Sequence, residues 1–592
     1  MSIIEIKESS EIMGFFFTDA AKKKKKTPKE QLNDMLVKTY GCNICPRKDL
    51  NIDSPKMEPT GADKPVYYFV GESPGRDEDE QGKQFVGQAG SVLREQINKC
   101  ITPSDRETSI RWNNVVRCYH ENITPSALEI DCCKTSVIED IEKTKPLLVV
   151  GFGGIPLKAF LDGKMITLWR GRLIPMKFGS HTCWYFPTLH PSYVLRNRAK
   201  GYKTEIDDVF ERDINWIFTN FVEEYEPPVV IDSGYKDDIL TMNVLAGIID
   251  EIHAMYGSEL LALDLETTTL RPYERDAEIW SVALSSGKKT ISFPLEYKRF
   301  FSEEQVSLLK RELELLFYSV KGIVAHNLKF ELEWLLALFG NQNFMRVATW
   351  HDTMTQAYLL DERTSKTEGM LNLDRLTQLN FGFNIKSLTG VDNKSLKSSS
   401  IEDILLYNAI DAKYTHKLFL QQQKKLLDIS LQICYNNLIE TAKTLTLTQA
   451  YGLEVDTHQL NLLDVSYNEQ LKSILRNIQD TPEIKKYMEV YGEFNPLSYP
   501  CVVKLLQDIM GIPVKKKTKE GNYSVDDSVL TELAEGGTTI AQYILDYRGL
   551  IKLRSTYLLT VSDTMVDGVI HPNYNLLYTV TGRLSSGAST EE

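Results

Sequence analysis

Two carboxylates at alternate positions point to metal chemistry. Asp264 and Glu266 stand in Leu263-Asp264-Leu265-Glu266-Thr267-Thr268. Side chains two apart on a strand share a face, so both acids enter one site. Tyr407 and Asp411 lie in Tyr407-Asn408-Ala409-Ile410-Asp411, within a helical pattern. Their i, i+4 spacing puts them on one helical face. Between these stretches, His326-Asn327-Leu328-Lys329-Phe330-Glu331 adds another acid. Converging carboxylates repel one another unless cations join them. Two hard divalent ions, Mg²⁺ or Mn²⁺, resolve that and supply a hydrolytic mechanism. Asp352, after Trp350-His351, is a further acid nearby.

A second group is built of thiols. The nine cysteines include Cys42-x-x-Cys45, then Cys118, Cys132 and Cys133. The odd count, without a secretion signal, argues against a disulfide framework. Four thiolates hold either zinc or a [4Fe–4S] cluster, and spacing alone does not choose. Cys132 and Cys133 compete for the fourth ligand position.

These residues need rigid elements behind them. Val66-Tyr67-Tyr68-Phe69-Val70 and Leu147-Leu148-Val149-Val150 read as buried strands, each followed by glycine. They alternate with helical patterns from about 31 to 222, which implies an α/β domain with a mainly parallel sheet. A linker is expected over 223–245. A second α/β unit, 246–425, opens at Leu260-Leu261-Ala262-Leu263-Asp264 and includes the strand Gly322-Ile323-Val324-Ala325. From about 426 to 560 the pattern is mostly helical.

The first α/β block resembles the iron–sulfur uracil-DNA glycosylases. The resemblance rests on Gly71-Glu72-Ser73-Pro74-Gly75, Glu78-Asp79, Phe85-Val86-Gly87-Gln88-Ala89-Gly90, Asn114-Val115-Val116-Arg117-Cys118 and His190-Pro191-Ser192-Tyr193-Val194-Leu195-Arg196, in that order. It implies a [4Fe–4S] cluster on Cys42, Cys45, Cys118 and Cys133, the last favoured by its distance from Lys145-Pro146. It also implies that Phe85 stacks on uracil and Asn114 reads the base edge. Glu72 would sit at the sugar and water, and His190 would donate to the departing base. Gln84 stands where that family usually has proline.

The second block resembles the 3′→5′ exonuclease domain of polymerase-I-like enzymes, an RNase H-like fold with four acids and a tyrosine. That resemblance implies that Asp264, Glu266 and Asp411 hold the two metals, with Glu331 and Tyr407 also catalytic. Glu331 replaces the usual aspartate and adds a methylene. The helical end resembles the thumb of the same enzymes through Phe494-Asn495-Pro496-Leu497-Ser498, Lys515-Lys516-Lys517-Thr518-Lys519, and Tyr547-Arg548 with Lys552-Leu553-Arg554. Thr581-Gly582-Arg583-Leu584-Ser585-Ser586 resembles the motif that opens the palm, making 561–592 the start of a truncated palm. Lys552, Arg554 and Arg583 would grip DNA phosphates without reading sequence.

Composition agrees with a multidomain α/β chain. At roughly 100–200 residues per domain, 592 residues make three or more. No apolar run reaches the roughly 20 residues of a membrane helix, and the N-terminus is no signal peptide, so a cytoplasmic location is expected. The net charge of −13 argues against nucleic acid only as an average, because DNA responds to local fields. The block Lys22 to Lys26 marks a basic flexible tail over 1–30. The expected function is the proofreading, DNA-gripping part of a phage family A polymerase, with a second polypeptide carrying palm and fingers. The competing readings are a non-catalytic DNA-docking scaffold and a stand-alone repair glycosylase–nuclease.

Overall fold

A computed structural model describes residues 41–587, apart from 49, 122, 199–204, 222–227, 229, 231–233, 362–368, 386–388, 392–395, 428, 518–520 and 580. The expected tail over 1–30, with its Lys22–Lys26 block, lies outside the described residues. So do the first part of the expected linker and Lys519.

The first unit is a six-stranded sheet in the order β1-β3-β2-β4-β6-β5. The strands are β1 (Thr60–Gly61), β2 (Tyr67–Gly71), β3 (Ile110–Asn114), β4 (Leu148–Phe152), β5 (Ile174–Phe178) and β6 (His181–Thr188). The four middle strands run parallel. Helices cover both faces, which is why β2 is an unbroken apolar run and not an alternating one. Tyr68 and Val70 share a core cluster with Val137 and Ile141 of helix α1 (Ala127–Thr144). Phe69 faces the other way, with Phe210 and Ile214 of helix α2 (Glu205–Thr219). Burying each such side chain contributes roughly 1.5–3 kcal/mol.

The second unit is another six-stranded sheet, ordered β12-β11-β8-β9-β10-β7. Its strands are β7 (Ile239–Thr241), β8 (Leu261–Thr267), β9 (Ile279–Ser285), β10 (Thr290–Pro294), β11 (Gly322–Ala325) and β12 (Thr349–Asp352). β8 is central, between antiparallel β9 and parallel β11. Helix α3 (Leu328–Phe339) follows β11, and helix α4 (Ile401–Lys425) packs across the sheet.

Two expected boundaries differ in the structure. Ile239–Thr241, inside the expected 223–245 linker, pairs with Thr290–Ser292 as the edge strand of the second sheet. Helix α5 (Ile429–Tyr451), expected in the thumb, shares the core of the second unit through Tyr435 and Ile439. Helix α5 joins that unit by burying Tyr435 and Ile439, whereas the 239–241 segment joins it by backbone pairing, with Ile239 partly buried and Leu240 exposed. Beyond them, a separate helical core gathers Ile478, Ile484, Tyr487, Val502, Leu530, Ile540 and Ile544. Among the described residues, no helix is long and apolar enough to cross a membrane.

Candidate functional site

Strand β8 and helix α4 together build an acidic cleft of about 500 Å³. Asp264 and Glu266 project from one face of β8 and meet Asp411 of α4, with ligand oxygens within 4.8 Å of one another. Glu331, from the first turn of α3, and Tyr407, one turn before Asp411, also line the cleft. Burial raises the Asp264 carboxyl well above its usual value, and the Glu266 charge adds to this. Glu331 is raised by burial and then by Asp264 and Glu266, and its Oε2 has no hydrogen-bond partner among the described residues. Tyr407 is raised by burial and then by Asp411, so its hydroxyl keeps its proton. Crowding disfavours the ionised form of these carboxyls, and a bound cation would favour it.

Asp352 belongs to the scaffold. Its carboxylate accepts from the N–H groups of Asn327 (3.0 Å) and Met354 (2.9 Å) and from the Thr355 hydroxyl (2.6 Å). It caps the helix that follows β12 (Thr353–Leu360) and does not line the cleft.

In the first unit, the candidate residues gather at the carboxyl ends of the parallel strands, where open α/β sheets place ligands. Gly71 and Asn114 end β2 and β3 as register partners. A Cβ on Gly71 would stand 2.3 Å from Asn114 Oδ1 and 2.8 Å from Phe85 Cζ, so glycine is what lets these two groups meet. Phe85 is buried with φ +55°, tilted against Trp112 (5.4 Å) and edge-on to Phe152 (5.6 Å). Gln84 takes over the fixing role expected of proline: its side chain accepts from Thr60 Oγ1 (2.6 Å) and donates to the Glu58 carbonyl (2.7 Å). Glu72 is raised by burial, which the charges of Arg47 and Arg196 oppose.

His190 follows β6. The Ser192 backbone N–H donates to its Nδ1 (3.2 Å), so the ring proton sits on Nε2. The Ser192 hydroxyl lies 2.7 Å from the same nitrogen and accepts from Arg196 (3.2 Å). Burial, and then Arg196, lower the imidazole to about 4, so it is neutral at neutral pH. A neutral ring with Nε2–H is a donor without net charge.

The thiols form a third locus. Cys42 and Cys45 lie on the turn that opens the described chain, Cys118 follows β3, and Cys133 is buried on α1. Burial pushes Cys133 up to about 11, with Cys45, Cys42 and Cys118 adding to the rise. Cys132, pushed to about 12, feels Cys45, Cys133 and Cys42. Backbone N–H groups face the sulfurs: Lys56 donates to Cys118 Sγ at 3.3 Å, Arg47 to Cys45 and Arg117 to Cys133.

The expected phosphate contacts are dispersed. Lys552 and Arg583 are exposed, whereas Arg554 Nε is paired with Asp464 Oδ1 at 2.7 Å.

Comparison with known proteins assigns these units. The uracil DNA glycosylase superfamily model matches residues 58–212, the 3′-5′ exonuclease model 243–427, and the DNA polymerase family A model 458–589. The type-4 uracil-DNA glycosylase of Thermotoga maritima is 35% identical over 156 residues, 25% of this chain and 76% of that protein. The N-terminal domain belongs to the uracil DNA glycosylase superfamily. Behind it, the chain carries the exonuclease and family A polymerase domains. The DNA polymerase of Bacillus phage SP01 is 23% identical over 601 residues, covering 90% of this chain and 63% of its own length. DNA polymerase I of Pseudomonas aeruginosa is 26% identical over 375 residues, 61% of this chain and 39% of that protein. The chain therefore spans less than two thirds of either polymerase.

Several residues in these domains carry no motif signal. In the exonuclease domain, Asn408 Nδ2 donates to Asp264 Oδ2 (2.8 Å), and Asp374 lines the cleft beside Tyr407. Asn408 stands inside the quoted Tyr407–Asp411 stretch, but its burial and its bond to Asp264 appear only in the folded chain. Asn573 and Asn575, from the polymerase domain, line the same cleft. They are far away in sequence, so nothing local announces them.

Proposed function

We propose that this chain is the proofreading and DNA-gripping part of a phage-type family A DNA polymerase, with a uracil-excising domain at its front. The convergence of Asp264, Glu266 and Asp411 within 4.8 Å, in a cleft shared with Tyr407 and Glu331, carries the reading. An all-oxygen anionic site suits Mg²⁺ or Mn²⁺, which when bound supply hydroxide and steady the leaving 3′ oxygen. The side chains do the rest. Asp264, Glu266 and Asp411 would hold the ions, Tyr407 O–H would orient the attacking water, and Glu331 adds a further carboxyl to the cleft. Asp264→Ala should abolish Mg²⁺-dependent 3′→5′ degradation of single-stranded DNA; digestion at the parental rate would place the site elsewhere.

In the glycosylase domain, Phe85 stacks on a flipped uracil and Asn114 pairs with its edge. Glu72 flanks the sugar, and the neutral His190 donates its Nε2–H to the charge developing on the base. Losing one such donor costs about 10²–10³ in rate. Uracil release from single-stranded and mispaired DNA, with Asn114→Ala and His190→Ala compared, is the measurement. No release by the parent chain makes this domain a DNA grip.

Cys42, Cys45, Cys118 and Cys133 would hold a [4Fe–4S] cluster. Cys133 is favoured over Cys132 by its distance from Lys145-Pro146, the spacing of the glycosylases this domain resembles. Four thiolates suit either zinc or a [4Fe–4S] cluster, and the colour of the protein separates the two. Protein purified without oxygen should be brown; colourless protein with stoichiometric zinc would overturn the assignment.

Lys552 and Arg583 would contact the primer–template backbone, with Arg554 joining them once released from Asp464. A second polypeptide carrying palm and fingers is proposed as the partner that completes nucleotide incorporation. Primer extension by the 592-residue chain alone would contradict this.

A further inference from the structure

Arg47 is the most deeply buried cation among the described residues of the glycosylase domain, with a fully buried side chain. A buried guanidinium is costly unless its donors are met. Here they are met by the elements that carry the cysteines. Nε donates to Glu129 Oε1 at 2.9 Å, Nη1 to the Cys118 carbonyl at 2.7 Å and Nη2 to the Ile123 carbonyl at 3.3 Å. Arg47 itself stands two residues after Cys45, and its backbone N–H faces the Cys45 sulfur. Glu129 is on the first turn of α1, four residues before Cys133, so both lie on one helical face. One planar fork thus ties its own stretch, with Cys45, to two others, the loop of Cys118 and the helix of Cys133, so that three stretches bearing expected cluster ligands meet at it.

We infer that Arg47 is the positioning residue of the cysteine cage. It pins the Cys42–Cys45 turn, the Cys118 loop and the Cys133 helix to one another, so that the thiols stand at cluster spacing before iron arrives. This rests on the cluster reading above.

The geometry explains the choice of arginine. Only a guanidinium offers several donors in fixed directions, and lysine, with one flexible ammonium, cannot span the three acceptors. Glu129 is held in turn. Burial alone would raise its carboxyl, but the Ser126 N–H (2.6 Å) and the Arg47 fork bring it below the usual range. Its negative charge offsets the buried cation. The charge of that cation also favours the ionised form of Glu72. The cage and the uracil pocket therefore share one charge, although Arg47 touches neither substrate nor base.

The test uses the full chain, purified without oxygen, as the parent, Arg47→Lys, Arg47→Met and Glu129→Gln. Iron and sulfide per chain are measured, together with the rate at which absorbance near 400 nm bleaches in a ferrous chelator. Partners that orient metal ligands typically matter by 10–100-fold, so Arg47→Met should bleach at least about 10-fold faster than the parent. Arg47→Lys should not rescue it, because charge without the fork does not restore the cage. Nuclease activity of the same samples should be unchanged and reports that the rest of the chain is folded. An Arg47→Met protein with parental iron content, bleaching within about twofold of the parent, overturns the inference. Should that variant prove insoluble, Glu129→Gln, which keeps the shape and removes one acceptor charge, decides by the same bleaching rate. A parent chain without iron overturns the cluster reading itself, a result distinct from an iron-loaded parent with an indifferent Arg47.

Discussion

Asn408 shows how much a single buried amide can control. It is fully buried, accepts from the Ser292 hydroxyl (3.2 Å) and donates to Asp264 (2.8 Å), which aims that carboxylate into the cleft. Asn408→Ala should raise the Mg²⁺ concentration needed for half-maximal nuclease activity by about 10–100-fold, the usual effect of removing a ligand's orienting partner. A metal titration with an unshifted midpoint would contradict this. His190 makes a second prediction, about pH. Its folded value of about 4 lies below the ordinary 6.5, so the unfolded chain binds the extra proton between those values. Its stabilising contribution is therefore complete above about pH 6.5 and is lost as pH falls towards 4. Thermal melts of the parent should fall more steeply over that window than those of His190→Gln. Parallel profiles would show that the ring is not held neutral.

Among the elements, the loop bearing Phe85 is the most tightly constrained. Phe85 takes a left-handed φ that only surrounding structure can impose on an aromatic residue. Arg94 donates to its carbonyl (3.1 Å), and Gly90, in the first turn of the helix Gln88–Cys100, lies against that same carbonyl. A Cβ on Gly90 would fall 1.8 Å from the Phe85 oxygen. Gly90→Ala must therefore displace backbone, costing roughly 1–3 kcal/mol and moving the aromatic ring. The expected result is a lower melting temperature together with lost uracil release, while nuclease activity persists. A variant as stable and active as the parent would mean that the loop has room the structure does not show.

Across the whole molecule, the glycosylase and exonuclease domains share apolar surface. Ile174, Met176 and Phe178 of β5 belong to one cluster with Leu376, Leu379 and Phe381 of the exonuclease domain. Arg172 pairs with Asp361 at 2.9 Å, and Arg375 lies over the Trp169 ring at 5.0 Å. Such an interface couples unfolding. In the parent, loss of absorbance near 400 nm and loss of nuclease activity on heating should coincide. Phe381→Ala, at a cost of about 3–5 kcal/mol, should separate them. Independent transitions already in the parent would show that the shared cluster contributes little.

Much of this was legible along the chain. The alternate acids of β8 and the helical pair Tyr407 and Asp411 follow from periodicity, because the backbone itself dictates which neighbours share a face, and the buried strands read at 66–70 and 147–150 from unbroken apolar runs stand at 67–71 and 148–152. Family likeness supplied Phe85, Asn114 and His190. The rest needed three dimensions. Asp352 reads as a stray acid but is a helix cap, since only the fold decides which N–H groups reach a carboxylate. Gln84 reads as a departure and turns out to anchor its loop. Arg47, Asn408 and Asn573 act through partners 71 to 82 residues away, 144 away and 244 away respectively. No local pattern marks such pairs, because the energy that selects them is the cost of leaving a buried polar group unpaired, and burial exists only once the chain has folded.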